Sequence, residues 1–353
     1  MILFVLPVLS GGGAERVTLN LLSECHRQGI KAELLVFDLS GPLLPLIPDG
    51  VVVHNLKTIS LRRSIVKLVQ CIRKIRPQLV FSTLGYVNVA LLAVRVFLPK
   101  YVKIWIREAN LPSISLKNNR YSMLMTALYR RYYRQADILI CTSKRMQHEF
   151  ETDFKVQVKN IKILPNPVNV DKIEALKTPV VREQGEGVRF IAVGRLTYQK
   201  GFDRLLDWFA QMDEKAHLTI IGSGGLETSL KRQAEVLQVD RRVKWVSFTT
   251  NPWPYYAGAD ALLLSSRWEG MPNTVLETLV CGTKVIATAE SGGVKELGVD
   301  PSLLAIVSAG DEFLSAMSQV IESTGNNKVN VLPSRYWLEN VSSTFIDWLP
   351  REN

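Results

Sequence analysis

Short apolar runs alternate with amphipathic, helix-length stretches along this chain, and the alternation runs through twice. Residues 2–6, 32–37, 79–82, 102–106 and 138–141 are apolar runs of four to six residues. They have the length and composition of strands buried on both faces of a parallel sheet. Helical patterns lie between them, near 14–28, 62–75, 87–97, 118–135 and 144–151. After Pro165-Asn166-Pro167 the pattern starts afresh. Strands are expected at 189–193, 218–221, 243–246, 261–264, 285–287 and 303–307, with helices near 201–211, 226–237, 273–281 and 310–323. Such alternation implies two parallel sheets covered by helices on both faces, an α/β fold with two doubly wound Rossmann-like domains. The expected boundaries are 1–168 and 188–333. A polar linker holding Pro179 and Gly185-Glu186-Gly187 joins them, and helices near 334–349 cross back to the first domain through Trp337, Phe345 and Trp348. In such folds ligands sit at the carboxyl ends of strands, so two domains facing each other enclose a cleft, and strand ends are where chemistry is expected.

Length and composition agree: 353 residues, 47% hydrophobic and 22% charged, suit two globular domains. The net charge of +10 is unevenly placed, with 24 Lys/Arg against 10 Asp/Glu in residues 1–170 and 19 against 23 in 171–353. The first half is expected to meet something anionic, whether a membrane surface, a nucleic acid or a phosphorylated acceptor, unless it is simply a solvated basic face. Cys25, Cys71, Cys141 and Cys281 lack any CxxC spacing and read as small apolar residues of a reducing compartment. The apolar start has no cationic segment before it and runs into a glycine loop, which reads as a first strand rather than a signal peptide. The longest apolar stretch, 87–98, contains Arg95 and falls short of the about 20 residues needed to span a bilayer. A cytoplasmic protein, bound to a membrane at most by its surface, is expected.

Three strand ends in the second half stand out. Val193-Gly194-Arg195-Leu196-Thr197-Tyr198-Gln199-Lys200-Gly201 places two cations in a strand-end loop, where they could clamp a diphosphate. Spacing alone fits a polar turn with solvated cations equally well. Glu269-Gly270-Met271-Pro272-Asn273 leads into a helix whose first N–H groups could hold phosphate oxygens, and Glu277 follows about one turn later. Two carboxylates beside an anion site need hydroxyl-bearing partners, and a sugar and a ribose would supply them. Taken alone, this segment is more simply a capped helix with exposed acids. Gly222-Ser223-Gly224-Gly225 is a glycine turn that lets backbone approach a ligand. In the first half, Ser10-Gly11-Gly12-Gly13-Ala14-Glu15 also joins strand to helix, with Glu15 in the first turn.

The succession GRLTYQKG, IIGSGG, EGMPNTVLETLVCG and Ser291-Gly292-Gly293 resembles the donor domain of the large retaining glycosyltransferase family 4, and the resemblance spans essentially the whole chain. Glu269 and Glu277, an E-x7-E pair, are its most specific part. The resemblance implies a GT-B fold and transfer of a hexose or N-acetylhexosamine from a UDP-sugar. The acceptor it suggests is a glycan, carried on a polyprenyl diphosphate in surface-polysaccharide synthesis. It implies that Arg195 and Lys200 hold the leaving diphosphate and that the backbone from Gly270 to Asn273, through Met271 and Pro272, cradles it. Glu269 would meet the donor sugar and Glu277 the ribose. Gly12 and Gly13 would form the glycine loop near donor and acceptor, with Gly194, Gly222 and Gly224 beside the nucleotide. The family usually works without a metal or other cofactor, and no DxD motif is present.

Many relatives carry a histidine after the strand ending near residue 106, where this chain has Arg107-Glu108. None of His26, His54, His148 and His217 sits at a convincing strand end, so an acceptor-side base would be Glu108 or none. A leaving phosphate can itself take the acceptor's proton, leaving the protein to position substrates and stabilise charge. Ser82-Thr83 could line the acceptor site, and Asn166 matches a hinge-region turn of the family. Residues 61–76, LRRSIVKLVQCIRKIR, and the cationic-aromatic run of 121–134 suit an anionic interface. The apolar stripe of 61–76 is nevertheless expected to face the sheet. A nucleotide-sugar epimerase or a phosphorylase on the same fold is the alternative enzyme. A nucleic-acid-binding protein would use the basic half but not the acidic pair, and nucleic acid is not the expected partner. A sugar-binding homologue without activity would fit the missing histidine but not the complete donor motif.

Overall fold

The computed structural model describes residues 1–58, 61–118, 121–180, 187–322 and 328–350. The chain forms two compact units, Met1–Pro167 with Leu338–Asn353, and Val168–Trp337.

The first unit holds a seven-stranded sheet. Its strands are β1 (Ile2–Leu6), β2 (Ala32–Val36), β3 (Val53–Asn55), β4 (Leu79–Ser82), β5 (Lys103–Arg107), β6 (Ile138–Cys141) and β7 (Ile161–Ile163). Their order is β3-β2-β1-β4-β5-β6-β7, parallel throughout. The period of two along each strand sorts side chains between the two faces. Leu3, Val5, Val80, Ile104 and Ile106 enter one core. Phe4, Phe81 and Trp105 are register partners on three neighbouring strands. Phe345, fully buried on the helix Leu338–Asp347, packs against all three rings at 5.5–6.3 Å. Burying such a ring is worth roughly 1.5–3 kcal/mol. It ties the C-terminal helix to the first sheet.

The second unit holds β8 (Arg189–Val193), β9 (His217–Ile221), β10 (Val243–Val246), β11 (Ala261–Leu264), β12 (Lys284–Thr288) and β13 (Leu304–Val307). Their order is β10-β9-β8-β11-β12-β13, again parallel throughout. Helices including Phe202–Phe209, Glu227–Val236 and Asn273–Val280 connect them, and Asp311–Glu322 follows the last strand.

Two edge strands escape the apolar pattern. β3 and β7 have three residues each and carry His54, Asn55 and Lys162, since an edge strand covered on fewer sides need not be apolar. The expected linker differs more. Val170–Leu176 is a helix belonging to the second unit, capped by Asn169, whose side chain accepts from Lys172 N at 3.0 Å. Val170 and Ile173 are buried in that unit's core. Seven residues are too few for a helical period to show in the sequence. Gly185 and Glu186 lie outside the described residues.

In the helix Leu61–Ile75, Leu68 and Ile72 are fully buried in the first core, so the apolar stripe faces the sheet. The side chains of Leu61, Arg62 and Arg63 lie outside the described ones. Among the described residues no helix is long and apolar enough to cross a membrane.

Candidate active site

β8 and β11 are neighbours, and the chain leaves them in opposite directions, to β9 on one side and β12 on the other. A sheet of this kind opens a crevice at that switch point. The loops leaving these two strands are the Gly194–Gly201 and Ser265–Pro272 segments.

Backbone and side-chain hydrogen bonds stitch the two loops together. Arg267 N donates to Gln199 O at 2.8 Å, Gln199 Nε2 to Trp268 O at 3.0 Å, and Ser265 Oγ to Lys200 O at 3.0 Å. Arg204 Nε and Nη2 donate to the carbonyls of Ser265 and Ser266, both at 2.9 Å. Arg267 grips Asp203 through both terminal nitrogens at 2.8 and 2.6 Å and lies 3.9 Å from the Tyr198 ring centre. With each such bond worth about 1 kcal/mol net, the loops are held as one body.

Lys200 Nζ lies 2.6 Å from Glu269 Oε1, which also accepts from Ser266 Oγ at 2.7 Å. The Glu269 carboxylate is buried and the Lys200 side chain 17% exposed. The expected diphosphate cation and the expected sugar carboxylate are therefore partners. Arg195, by contrast, has an exposed side chain.

Glycines permit the close packing beneath these groups. Gly292, at φ +69°, and Gly293 lie under the second loop, where a side chain would overlap the carbonyls of Glu269 and Gly270. Gly293 N donates to Gly270 O at 2.9 Å. A side chain at Gly222 would likewise overlap the Gly194 carbonyl, and one at Gly224 would press on Leu196. These glycines thus bring the β9 turn against the β8 loop.

Pro272 precedes the helix Asn273–Val280, whose first N–H groups have no acceptors within the helix. They add partial positive charge at the loop's end. Glu277, buried on this helix, accepts from Trp253 Nε1 at 3.0 Å. Trp253 opens the helix Trp253–Gly258 beyond β10, so this bond draws the β10 connection towards Glu277.

The first unit has its own switch point, between β1 and β4. After β1, Gly12 caps the helix Gly13–Arg27, and the buried Glu15 accepts from Ser10 Oγ at 2.7 Å. Arg107 and Glu108, which end β5, are both buried. Arg107 donates from Nη2 to Asn166 Oδ1 and from Nη1 to Thr83 Oγ1 at 3.4 Å, while its Nε has no hydrogen-bond partner. Burial lowers its pKa to about 10. Asn166 thus joins the end of β5 to the turn after β7.

Three donors converge on Glu108 Oε1: Asn88 Nδ2 at 2.9 Å, Tyr129 OH at 3.3 Å and Tyr133 OH. Burial raises this carboxyl's pKa to about 7, against the pull of those donors and of Arg107. Ser82 Oγ donates to Asn88 Oδ1, which extends the network to the end of β4.

The partner residues Ser266, Trp253, Asn88, Tyr129 and Tyr133 do not emerge from the sequence. Trp253 follows Asn251-Pro252 just after a strand, a position that invites attention. Tyr129 and Tyr133 fall in a run whose spacing shows only helix and charge.

Residues 11–172 match the family described as Glycosyltransferase Family 4, and residues 177–331 that described as Glycosyl transferases group 1. An uncharacterized glycosyltransferase of Methanocaldococcus jannaschii is 32% identical over 65% of this chain and 60% of its own length. The N-acetylgalactosamine-N,N'-diacetylbacillosaminyl-diphospho-undecaprenol 4-alpha-N-acetylgalactosaminyltransferase of Campylobacter jejuni is 26% identical over 86% of this chain and 85% of its own. Among solved structures, the lipopolysaccharide outer core galactosyltransferase WaaB superposes with a TM-score of 0.71 at 20% identity, covering 98% of both chains. Anabaena HepE in complex with UDP-glucose superposes with a TM-score of 0.76 at 18% identity, again over 98% of both. Matched in both halves from residue 11 to residue 331, and sharing the GT-B fold of those structures, this chain belongs to glycosyltransferase family 4 and is an enzyme that transfers sugars.

Proposed function

We propose that the enzyme moves a hexose or N-acetylhexosamine from a UDP-sugar to a glycan acceptor, with retention at the anomeric carbon. The Lys200–Glu269 pair, set between interlocked loops at the β8/β11 switch point, carries this reading. Lys200, Arg195 and the start of the helix Asn273–Val280 would meet the charge on the diphosphate. Glu269 would accept from sugar hydroxyls and Glu277 from the ribose. As the bond from the anomeric carbon to the phosphate oxygen breaks, its electron pair leaves on the diphosphate. The acceptor oxygen bonds to that carbon from the same face, and its proton passes to the departing phosphate. Preorganised cations placed where this charge develops act without reorganising during the reaction. Glu108 would accept a hydrogen bond from a second hydroxyl of the acceptor and so help to orient it, and no bound metal or cofactor takes part.

Support for the donor comes from HepE, whose structure is described in complex with UDP and with UDP-glucose. Support for a lipid-linked acceptor comes from the Campylobacter relative, whose name specifies a diphospho-undecaprenol substrate. UDP should raise the melting temperature of the purified enzyme, with or without EDTA. At a hundredfold over Kd the stabilisation would be about 2.7 kcal/mol. Glu277→Ala should abolish it. A wild-type enzyme that shifts with no nucleotide at saturation would end this reading.

The acceptor would be met at the cytoplasmic face of a membrane, with no role for nucleic acid. The helix Ser122–Tyr132 offers a surface for this. Met123, Thr126, Ala127, Arg130, Arg131 and Arg134 line a cavity of about 570 Å³, and Met123 is 88% exposed. Arginines beside an exposed apolar side chain suit anionic headgroups, each cation contributing about 1 kcal/mol at such a surface. The enzyme should sediment with vesicles containing phosphatidylglycerol and not with purely zwitterionic ones. A triple Arg130→Glu, Arg131→Glu, Arg134→Glu variant should stay in the supernatant; equal sedimentation of variant and wild type would remove this surface from the account.

A further inference from the structure

The helix Ser122–Tyr132 has an inner side as well as an outer one. There Tyr129 and, just beyond the helix, Tyr133 are buried. Their rings stack at 4.1 Å, and Tyr133 stacks in turn on Phe150 at 5.4 Å. Ring packing alone would account for two phenylalanines. Instead both hydroxyls reach the same carboxylate oxygen, Glu108 Oε1, and Asn88 Nδ2 reaches it too. Asn88 is itself oriented by Ser82 and donates a second bond to the Arg107 carbonyl at 3.0 Å. Room for Tyr129 depends on Gly85, where a side chain would overlap its hydroxyl. Three donors thus reach one oxygen at the end of β5, from the helix Gly85–Ala93, from the end of Ser122–Tyr132 and from just beyond it, while Ser82 at the end of β4 steadies Asn88. None of these bonds goes to Oε2.

We infer that Tyr133, Tyr129 and Asn88 are positioning residues for Glu108, fixing one carboxylate oxygen so that the other is presented, ionised, to an acceptor hydroxyl. The function of Glu108 in this statement rests on the reading proposed above. The physical requirement is simple. A carboxyl this deeply buried tends to stay protonated, and a protonated carboxyl is a poor acceptor. Donors that favour the charged form counter burial, and phenol hydroxyls do so without adding a cation. The charged or titratable groups facing Glu108 are Arg107 on its own strand, Tyr129 and Tyr133 on the helical side, and Cys141 at the end of β6. Arg107 supports ionisation. Burial pushes both phenols well above their usual pKa and raises the thiol too, so all three remain neutral donors or spectators.

The test is a carboxyl-carbon NMR titration of enzyme labelled at glutamate, with the Glu108 resonance identified by its loss in Glu108→Gln. Tyr133→Phe keeps the ring and its stacking and removes only the hydroxyl. It should move the Glu108 midpoint up by about one pH unit, the equivalent of one lost hydrogen bond to a charged group. Tyr129→Phe, losing the longer bond, should move it less and in the same direction. An unchanged midpoint in Tyr133→Phe overturns the inference, because packing without electrostatic positioning predicts no movement. The UDP melting shift separates this from the donor reading. It should be identical in Tyr133→Phe and wild type. Its absence from both would sink the donor reading while leaving the titration to judge the tyrosines.

Discussion

Lys200→Ala is expected to slow sugar transfer by roughly 10²–10³-fold, the effect seen when one preorganised donor to a developing oxyanion is removed. Lys200 is held in place by its surroundings. Its stem packs against Gly194, its ammonium is 2.6 Å from Glu269, and its backbone carbonyl accepts from Ser265. A free surface lysine would have to be ordered at the moment of reaction. Here that ordering is already done in folding. The substitution also leaves the buried Glu269 carboxylate with Ser266 but without its cation. Glu269→Gln should therefore be strongly non-additive with Lys200→Ala, since each single change disables the same pair. The check is kcat for the UDP-sugar that gives the largest melting shift. A Lys200→Ala enzyme within threefold of wild type would show that the leaving group is stabilised elsewhere.

Glu108→Gln should make the protein more stable than wild type at pH 8 and remove a pH dependence below it. The folded-state pKa of this carboxyl is raised to about 7 by burial, whereas an unfolded glutamate titrates near ~4.3. The group therefore binds its proton more tightly in the folded state. Its stabilising contribution is complete below the unfolded value and is lost as pH rises through about 7. With each unit worth about 1.36 kcal/mol, the loss between about pH 4 and pH 7 is roughly 3 kcal/mol. Urea unfolding of the two proteins from pH 5 to pH 8 would show their difference growing with pH and levelling off above 7. Parallel stability curves would mean that Glu108 does not titrate in this range. The opposite slope would mean that Tyr129, Tyr133, Asn88 and Arg107 outweigh burial.

The outcomes bear on different parts of the chain. A transfer defect in Lys200→Ala concerns the second unit, whose motifs are runs of consecutive residues. The Glu108 titration concerns the first unit, whose decisive partners are scattered along the chain.

The alternation of apolar runs and helical periods is local, so it marked eleven of the thirteen strands among the described residues and the doubly wound architecture of both units. The strand-end loops were legible for the same reason: a glycine turn, a pair of cations and a helix start are each written in consecutive residues. Gly194 to Gly201 and Glu269 to Glu277 could thus be chosen from the sequence. Short elements were not legible. Three-residue edge strands and the helix Val170–Leu176 hold too few residues to display a period, and their place is decided by what covers them. Nor could the sequence pair the side chains. Lys200 meets Glu269 across 69 residues, Trp253 meets Glu277 across 24, and Tyr133 meets Glu108 across 25. Those contacts exist because β8 lies beside β11 and because the helix Ser122–Tyr132 packs over the end of β5. Strand order and helix docking are set by the burial of whole faces, a sum over many residues far apart in the chain. Consecutive residues show which glycine turns, cations and carboxylates stand at which strand ends. Long-range packing set which carboxylate holds which cation, and which one burial raises to a pKa of about 7.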